Sequence, residues 1–128
     1  MTPLLKTSMT HHPHSIRLDE SVATARKLMG TLNVRHLPVL KAGTLVGVIS
    51  DRDLKLVNAA AHVTVEDLCV DDPICVDVDT SLFVVASIMA EKRVGSVLVT
   101  DGGKLAGIFT TTDACRVLAE TLHPERKT

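Results

Sequence analysis

Two kinds of hydrophobic pattern alternate along this chain. Short apolar runs of strand length occur at residues 36–40, 45–50, 96–100 and 105–110 and predict buried β-strands. In residues 21–32 and 81–92, apolar residues recur every three or four positions, which predicts two amphipathic helices. The apolar faces of these helices consist of Val22, Ala25, Leu28, Met29 and Leu32, and of Leu82, Val85, Ala86, Ile88 and Met89.

Tight turns and short flanking segments complete the predicted elements. The turns 41–44 and 101–104 contain glycines, which adopt the positive φ that a hairpin turn needs. We also predict short leaders at 4–10 and 64–70, extended pieces at 15–18 and 74–78, and closing helices at 51–61 and 111–122. The polar tail 123–128 contains Pro124 and is expected to fray.

The second half of the chain repeats the first. A shift of 60 residues gives eleven identities over positions 13–57, where average composition would give roughly three. The identical pairs are Pro13/Pro73, Asp19/Asp79, Ser21/Ser81, Met29/Met89, Val34/Val94, Val39/Val99, Gly43/Gly103, Leu45/Leu105, Gly47/Gly107, Asp53/Asp113 and Val57/Val117. The chain is therefore a tandem duplication, with predicted β-α-β-β-α repeats at 1–62 and 63–128.

A single repeat of this length would have a marginal core. We therefore expect an α/β (α+β) fold in which the two repeats pack sheet to sheet with pseudo-twofold symmetry, leaving a cleft on each side of that contact. The helix faces of Val22, Leu28 and Met29, and of Val85, Ile88 and Met89, exceed what one intramolecular contact covers. We expect a homodimer.

Composition narrows the class of function. The net charge of −1 and the presence of only two aromatic residues, both Phe, argue against nucleic acid and anionic membranes as partners. The apolar runs are too short to cross a bilayer, and no apolar core with a cleavage site follows Lys6, so we expect no signal peptide. Three cysteines without CxxC spacing fit a reducing cytoplasm.

The candidate chemistry lies where a strand passes into a helix, at 47–53 and again at 107–113. Ser50 and Thr110 are placed to cap the helices, and Asp53 and Asp113 follow three residues later. A helix start suits a phosphate, and a carboxylate can accept the two neighbouring hydroxyls of a ribose. Each repeat could thus hold a nucleotide, although the same spacing also describes a simple capping box.

Two stretches carry a resemblance to a known family. Residues 33–40 leading to 47–53, and 93–99 leading to 107–113, resemble the CBS domain in its tandem form, the CBS pair or Bateman module. The helix openings 19–22 and 79–82 fit as well, so that the resemblance covers nearly the whole chain. It implies a regulatory module rather than an enzyme, without a required cofactor. Members bind AMP, ADP or ATP, or S-adenosylmethionine or a dinucleotide such as NAD, in the clefts between the repeats, and many pair into a disc.

The family pattern G-h-x-[ST]-x-x-D implies ligand roles at matching positions. It falls on Gly47, Val48, Ser50 and Asp53, and on Gly107, Ile108, Thr110 and Asp113. The resemblance implies that the aspartates hold ribose hydroxyls and that Ser50, Thr110 and Thr112 contact ribose or phosphate oxygens. Val48 and Ile108 would flank the sugar or base, together with Ile74 or Ile16. The segments that would line the mouth of a cleft are Val34, Arg35 and His36, and Val94, Gly95 and Ser96, while Thr10 and His14 could touch ligand or serve only as loop residues.

Positive charge distinguishes the repeats. Arg35, His36 and Arg52 are candidates for phosphate contacts, because arginine forks match phosphate oxygens. The second repeat has Gly95, Ser96 and Thr112 at the equivalent positions. A role as solvated surface charge is the alternative for each arginine, and the sequence leaves open which cleft they serve.

Three functional hypotheses follow. The first is a stand-alone CBS pair that binds an adenosine-containing ligand and signals to a regulated partner protein. The second is a ligand-free interaction module in which both aspartates only cap helices. The third is a metal- or redox-responsive protein using His11, His12, Cys69 and Cys75, although neither HxxxH nor CxxC spacing occurs. Nucleophilic catalysis lacks support, since neither Ser50 nor Cys115 has an evident base and orienting acid.

Overall fold

The computed structural model describes residues 3–58 and 62–126. The helices are α1 (Leu5–Ser8), α2 (Val22–Leu32), α3 (Asp51–Leu54), α4 (Val65–Leu68), α5 (Leu82–Lys92) and α6 (Thr111–Leu122). The strands are β1 (Thr10–His11), β2 (Ile16–Arg17), β3 (His36–Lys41), β4 (Thr44–Ser50), β5 (Val70–Asp71), β6 (Cys75–Asp77), β7 (Ser96–Asp101) and β8 (Lys104–Thr110). The prediction of a mixed α/β fold is confirmed, with two four-stranded sheets.

The chain divides into two compact units that do not coincide with the sequence repeats. The first-repeat unit is Pro13–Pro73, and the second-repeat unit combines Met1–His12 with Ile74–Thr128. Each leader segment therefore belongs to the unit of the other repeat, whereas the repeat boundaries predicted from the sequence were 1–62 and 63–128. The sheet-to-sheet packing of the repeats stays a prediction.

The first-repeat unit contains a sheet with strand order β2-β3-β4-β5. Strand β2 is parallel to β3, and the β3–β4 hairpin and the β4–β5 pair are antiparallel. Helix α2 packs its apolar stripe against this sheet, and α4 adds the fully buried Val65. The buried core consists of Ile16, Val22, Ala25, Met29, Leu37, Val39, Ile49, Leu54 and Val65.

The second-repeat unit has the equivalent sheet, with strand order β1-β8-β7-β6. Its core includes Leu5 and Met9 from the start of the chain, which pack with residues of α5, β7 and β8. The remaining core residues are Val76, Leu82, Val85, Met89, Val97, Val99 and Phe109. Burial of apolar side chains is the main stabilising term, so the leader is part of this unit's core rather than an appendage.

Helices α2 and α5 begin and end close to the bounds that the sequence predicts. Ser21 and Ser81 cap α2 and α5 by accepting hydrogen bonds from the Thr24 and Val84 amides, at 3.1 and 3.3 Å. Asn33 and Arg93 end them in the left-handed conformation, at φ of 55° and 56°. Ala86, however, is exposed and does not belong to the buried face of α5.

The prediction of a closing helix over 51–61 is wrong, because α3 ends at Leu54. The Arg26 guanidinium donates to the Leu54 carbonyl at 2.8 Å and satisfies an acceptor at the end of this helix. Val57 and Asn58 have low helix propensity, and residues 59–61 lie outside the described part of the chain. The matching prediction for 111–122 is confirmed by α6.

Other differences concern the short elements and the apolar faces. Strands β1 and β5 were not predicted, and Pro124–Arg126 forms a 3-10 turn where fraying was expected. The helix residues on which we based the homodimer, including Val22, Met29, Val85 and Met89, are buried in their own units. The exposed apolar side chains on helices are instead Phe83, Val84, Leu118 and Leu122. None of the helices in the described residues combines the length and apolar character that a membrane span needs.

Candidate functional site

The first corner is formed where β4 ends at Ser50 and α3 begins at Asp51. The Ser50 amide and hydroxyl both donate to Oδ2 of Asp53, at 2.8 and 2.9 Å. The Asp53 amide donates in return to Ser50 Oγ at 3.2 Å. These three hydrogen bonds make a complete capping box, which fixes the carboxylate beside the end of the strand.

The second corner repeats this geometry where β8 ends at Thr110 and α6 begins. The Thr110 amide and hydroxyl donate to Oδ2 of Asp113 at 2.9 and 3.1 Å. The Asp113 amide donates to Thr110 Oγ1 at 3.3 Å. In both corners the capping hydrogen bonds use Oδ2 and do not involve Oδ1.

The two aspartates differ in exposure and in what contacts Oδ1. Asp113 is only 4% exposed, and its Oδ1 accepts a hydrogen bond from the Arg116 guanidinium one turn later in α6. Asp53 is half-buried, and the position equivalent to Arg116 is occupied by Leu56, which is 76% exposed. This difference was not predicted from the sequence, although Arg116 follows Asp113 at the i,i+3 spacing at which helix side chains meet.

The basic candidates of the first repeat converge on the first corner. The Asp51 amide donates to the Arg35 carbonyl at 2.8 Å, His36 pairs with Ser50 across β3 and β4, and Arg52 lies in the first turn of α3. In the second corner the Thr111 amide donates to the Gly95 carbonyl at 3.0 Å, and Ser96 pairs with Thr110. Each segment before a strand thus lies at the corner of its own repeat. In the first repeat that segment contributes basic residues, whereas the arginine at the second corner is Arg116 of α6.

His36 is perturbed by this placement. Burial lowers the pKa of the His36 imidazole below its ordinary value, and the nearby charge of Arg35 acts in the same direction. The carboxylates of Asp51 and Asp53 oppose the shift without reversing it. His36 therefore favours its neutral form at the first corner near neutral pH.

The motif glycines are explained by strand pairing. A Cβ on Gly47 would lie 2.7 Å from the Val70 carbonyl oxygen of β5. One on Gly107 would lie 2.8 Å from the Thr10 carbonyl oxygen of β1 and 2.6 Å from Met9 Sδ. Only glycine permits these short strands to approach, so the glycines of the motif support the sheet edges beside the corners.

The remaining predicted contacts are distributed over both units. Val48 is half-buried and pairs with Val70, whereas Ile108 is 5% exposed and pairs with Thr10. Exposed His14 belongs to the first-repeat unit and Thr10 to the second-repeat unit. Of the other candidates, Ile16 lies in the first-repeat core, Val34 is 38% exposed, Thr112 is exposed and Ile74 is half-buried. Their contacts with a ligand stay predictions.

The metal candidates do not converge. Within residues 3–58 and 62–126, no group of three or more His, Cys, Asp or Glu side chains is arranged to hold a metal ion. The imidazole of His11 is hydrogen-bonded to the Lys6 carbonyl, and its ring centroid lies 6.4 Å from that of His12. Cys69 is half-buried, and burial raises the pKa of its thiol, which disfavours the thiolate that binds metals.

Comparison with known proteins identifies the family. The family model for the CBS domain matches this chain twice, at residues 5–58 and 65–120. The chain therefore belongs to the CBS domain family and carries two tandem CBS domains, which confirms the resemblance seen in the sequence.

Related sequences and structures share this module. An inosine-5'-monophosphate dehydrogenase of Thermoplasma acidophilum is 32% identical over 101 residues, which are 78% of this chain but 20% of that enzyme. The CBS domain pair of protein MJ0100, in complex with 5'-methylthioadenosine and S-adenosyl-L-methionine, superimposes with a TM-score of 0.87 at 26% identity, covering 94% of this chain and 99% of that one. CBSX2 in complex with AMP gives a TM-score of 0.79 at 31% identity, covering 96% and 98%.

The enzymatic relatives match this chain only in part. The chain spans about a fifth of the length of the inosine-5'-monophosphate dehydrogenases that it matches, with 20% and 22% coverage in two of them. The similarity lies in the CBS region that this chain shares with them.

Proposed function

We propose that this chain is a regulatory module that binds an adenosine nucleotide and signals its presence to a partner protein. The single observation that carries the proposal is the first corner, where the capping box holds the Asp53 carboxylate and where the backbone of Arg35, His36 and Arg52 meets the end of the strand. The AMP bound by CBSX2 and the adenosine compounds bound by the MJ0100 pair support the same ligand class.

The geometry of the first corner matches the chemistry of such a ligand. The capping box engages Oδ2 of Asp53, and Oδ1 offers acceptor positions to the two hydroxyls of a ribose. The arginine side chains supply the cations that a phosphate requires, and the half-buried Val48 supplies apolar surface for the sugar or base. We propose AMP, ADP or ATP before S-adenosylmethionine or a dinucleotide, because the cations favour an anionic ligand.

The proposal has further parts that the same module suggests. We propose no enzymatic activity, a cytoplasmic location and a homodimer formed through exposed apolar side chains such as Phe83 and Leu122, which are 80% and 69% exposed. The alternative is a ligand-free interaction module. The observation in its favour is that both corners already contain complete capping boxes, which account for the motif without any ligand.

A thermal-shift screen tests the proposal. AMP, ADP, ATP, S-adenosylmethionine, NADH and zinc are compared, and a ligand at a hundred times its Kd should add about 2.7 kcal/mol to the free energy of unfolding. We expect Asp53→Asn to remove most of the shift given by AMP, because the amide loses an acceptor and the negative charge.

The chain offers a matched control for that variant. Thr64 and Asp67 form a similar box at α4, in which the Thr64 amide and hydroxyl donate to Asp67 Oδ2 at 3.1 Å and the Asp67 amide donates to the Thr64 carbonyl. Asp67→Asn should therefore lower the melting temperature without reducing the increment that AMP adds. If no nucleotide raises the melting temperature of the unmodified chain, the result favours the alternative, a ligand-free interaction module.

A further inference from the structure

Arg116 contacts Oδ1 of Asp113, the carboxylate oxygen of the second corner that the capping box leaves open for a ribose. The Arg116 guanidinium donates to Oδ1 of Asp113 three residues earlier in α6. The Asp113 side chain is 5% exposed, whereas that of Arg116 is 44% exposed and lies at the surface of the corner. A charged arginine thus stands between solvent and the carboxylate.

The acceptor capacity of the two aspartates is consequently different. A carboxylate has about four lone-pair positions, two on each oxygen. Thr110 uses both positions on Oδ2 of Asp113, and Arg116 uses one of the two on Oδ1. The Ser50 box makes the same demand on Oδ2 of Asp53, but the position that corresponds to Arg116 in the repeat is Leu56, whose side chain has no hydrogen-bond donor.

The energies favour the arginine over a single hydroxyl. A hydrogen bond between a guanidinium and a carboxylate is roughly twice as strong as one between neutral groups. The low exposure of the Asp113 carboxylate also reduces the competition from water. A ribose that approaches Asp113 must therefore displace Arg116 or accept one hydrogen bond instead of two. Either route weakens binding at the second corner relative to the first.

We propose that Arg116 is a specificity-determining residue that competes with the ribose diol for Asp113 and makes the two corners unequal. This inference rests on the proposed function. An adenosine ligand then occupies the first corner before the second. Of the two corners, only the one with Asp53 strongly prefers a ribose that has both hydroxyls. The identity of one side chain, Leu56 or Arg116, sets this order.

A reciprocal exchange of these two residues tests the proposal. AMP binding is measured by isothermal titration calorimetry in the variants Arg116→Leu and Leu56→Arg. The Leu56 amide donates to the Asp53 carbonyl at 3.2 Å, so residue 56 lies in a turn directly after α3, whereas Arg116 lies within α6. The background Asp53→Asn isolates the second corner, so that the effect of Arg116→Leu is read there alone.

Removing Arg116 should strengthen AMP binding, which a purely structural role of this residue would not do. Arg116→Leu in the Asp53→Asn background should raise the affinity for AMP by about tenfold, because it frees an acceptor on a buried carboxylate. Leu56→Arg should lower the affinity of the first corner by a similar factor. If Arg116 merely supported the fold, its removal would weaken binding or leave it unchanged.

A second variant controls for misfolding, and a second ligand tests the contact with the ribose hydroxyls. Arg116→Gln preserves most of the side-chain volume but loses the charge, and it should change the affinity in the same direction as Arg116→Leu. The preference for AMP over 2'-deoxy-AMP should widen at the second corner when Arg116 is replaced, since the freed Oδ1 then accepts both hydroxyls.

Two failures are distinguishable. Equal AMP affinities at both corners of the unmodified chain, or no gain with either Arg116 variant, would overturn the competition while leaving the proposed function intact. Absence of AMP binding in the unmodified chain and in every variant would overturn the proposed function, and the competition with it.

Discussion

At the scale of single residues, His36 is a titratable group that the second repeat does not have. Ser96 occupies the equivalent place in β7, opposite Thr110, as His36 lies opposite Ser50. Because burial lowers the pKa of His36, the unfolded chain binds more protons than the folded chain just below the ordinary pKa. Folding is therefore favoured by the neutral imidazole and opposed by its protonation.

The pH dependence of stability follows from that sign. The contribution of His36 to the free energy of unfolding should be fully present above a pH of about 6.5 and decline as the pH falls through the lower pKa of the folded chain. His36→Ser, which introduces the residue of the second repeat, should flatten the dependence between pH 7.5 and 5.5. Urea titrations across this range compare the two proteins.

A matched variant separates His36 from the other histidines. His14→Ser is the control variant, because this histidine is exposed rather than buried. A parallel slope in His36→Ser and the unmodified chain would show that burial of this imidazole does not govern the response.

The sequence was sufficient to predict the two corners but not their asymmetry. The spacing of Ser50 and Asp53, and of Thr110 and Asp113, predicts a cap and a carboxylate beside a strand end, and the structure has both. The arginine three residues after Asp113 is visible in the sequence, but the burial of Asp113 and the contact itself depend on side-chain positions that the motif does not encode. The placement of Arg35 and His36 likewise needed the strand register.

At the scale of elements, the two hairpin turns have the same backbone conformation but differ in how well their residues suit it. Ala42 and Gly43 have φ of 50° and 81°, and Gly102 and Gly103 have 59° and 81°. Positive φ at both central positions is the geometry of a type I' turn, which suits the twist of a hairpin. Glycine adopts it without strain, whereas Ala42 must place its Cβ in the left-handed region.

Exchanging the residue at this position should change stability in opposite directions. Ala42→Gly should raise the free energy of unfolding by about 1 kcal/mol, because relief of the left-handed strain exceeds the entropy that glycine adds to the unfolded chain. Gly102→Ala should lower it by a similar amount. Thermal and urea unfolding measure both, and a stabilising Gly102→Ala would contradict the assignment of the turn.

The edge strands beside the corners give a second prediction at this scale. Gly47→Ala and Gly107→Ala should each lower the free energy of unfolding by about 1–3 kcal/mol, since the added methyl overlaps the backbone of β5 or β1. Gly30→Ala is the control, because an added Cβ in α2 meets nothing within 4 Å and should stabilise the helix by about 0.5–1 kcal/mol. Urea denaturation would show no difference between the three variants if the edge strands did not approach the glycines.

Long periodic elements were predictable and two-residue strands were not. The spacing of apolar residues predicts α2 and α5 with bounds close to those observed. The glycine-containing turns between apolar runs predict both hairpins. Strands β1 and β5 contain two exposed residues each and carry no period. Helix α3 ends where the Leu54 carbonyl accepts a tertiary hydrogen bond from Arg26, a contact that lies outside the local pattern.

At the scale of the whole molecule, each compact unit is assembled from both sequence repeats. The first-repeat unit extends to Pro73 and includes Val65 and β5, and the second-repeat unit begins again with Leu5, Met9 and β1. The duplication was visible in the sequence as identities at a fixed shift. The exchange of leaders was not, because identities align the repeats without saying which unit a leader joins.

Fragments of matched length test this assembly. A fragment of residues 13–73 contains every strand of the first-repeat sheet, whereas a fragment of residues 1–62 lacks β5 and the buried Val65. We expect the fragment 13–73 to unfold cooperatively with a higher midpoint in circular dichroism, because its apolar core is complete. Equal or greater stability of the fragment 1–62 would show that the leaders belong to their own repeats.

The exchanged leaders also determine the order in which the molecule completes itself during synthesis. Once Pro73 has left the ribosome, every strand of the first-repeat sheet exists, while Leu5 and Met9 still await partners that lie between Ile74 and Thr110. At the usual pace of translation this wait lasts on the order of seconds. At that stage the core of the first-repeat unit is complete, while the apolar side chains of Leu5 and Met9 are still without their core partners.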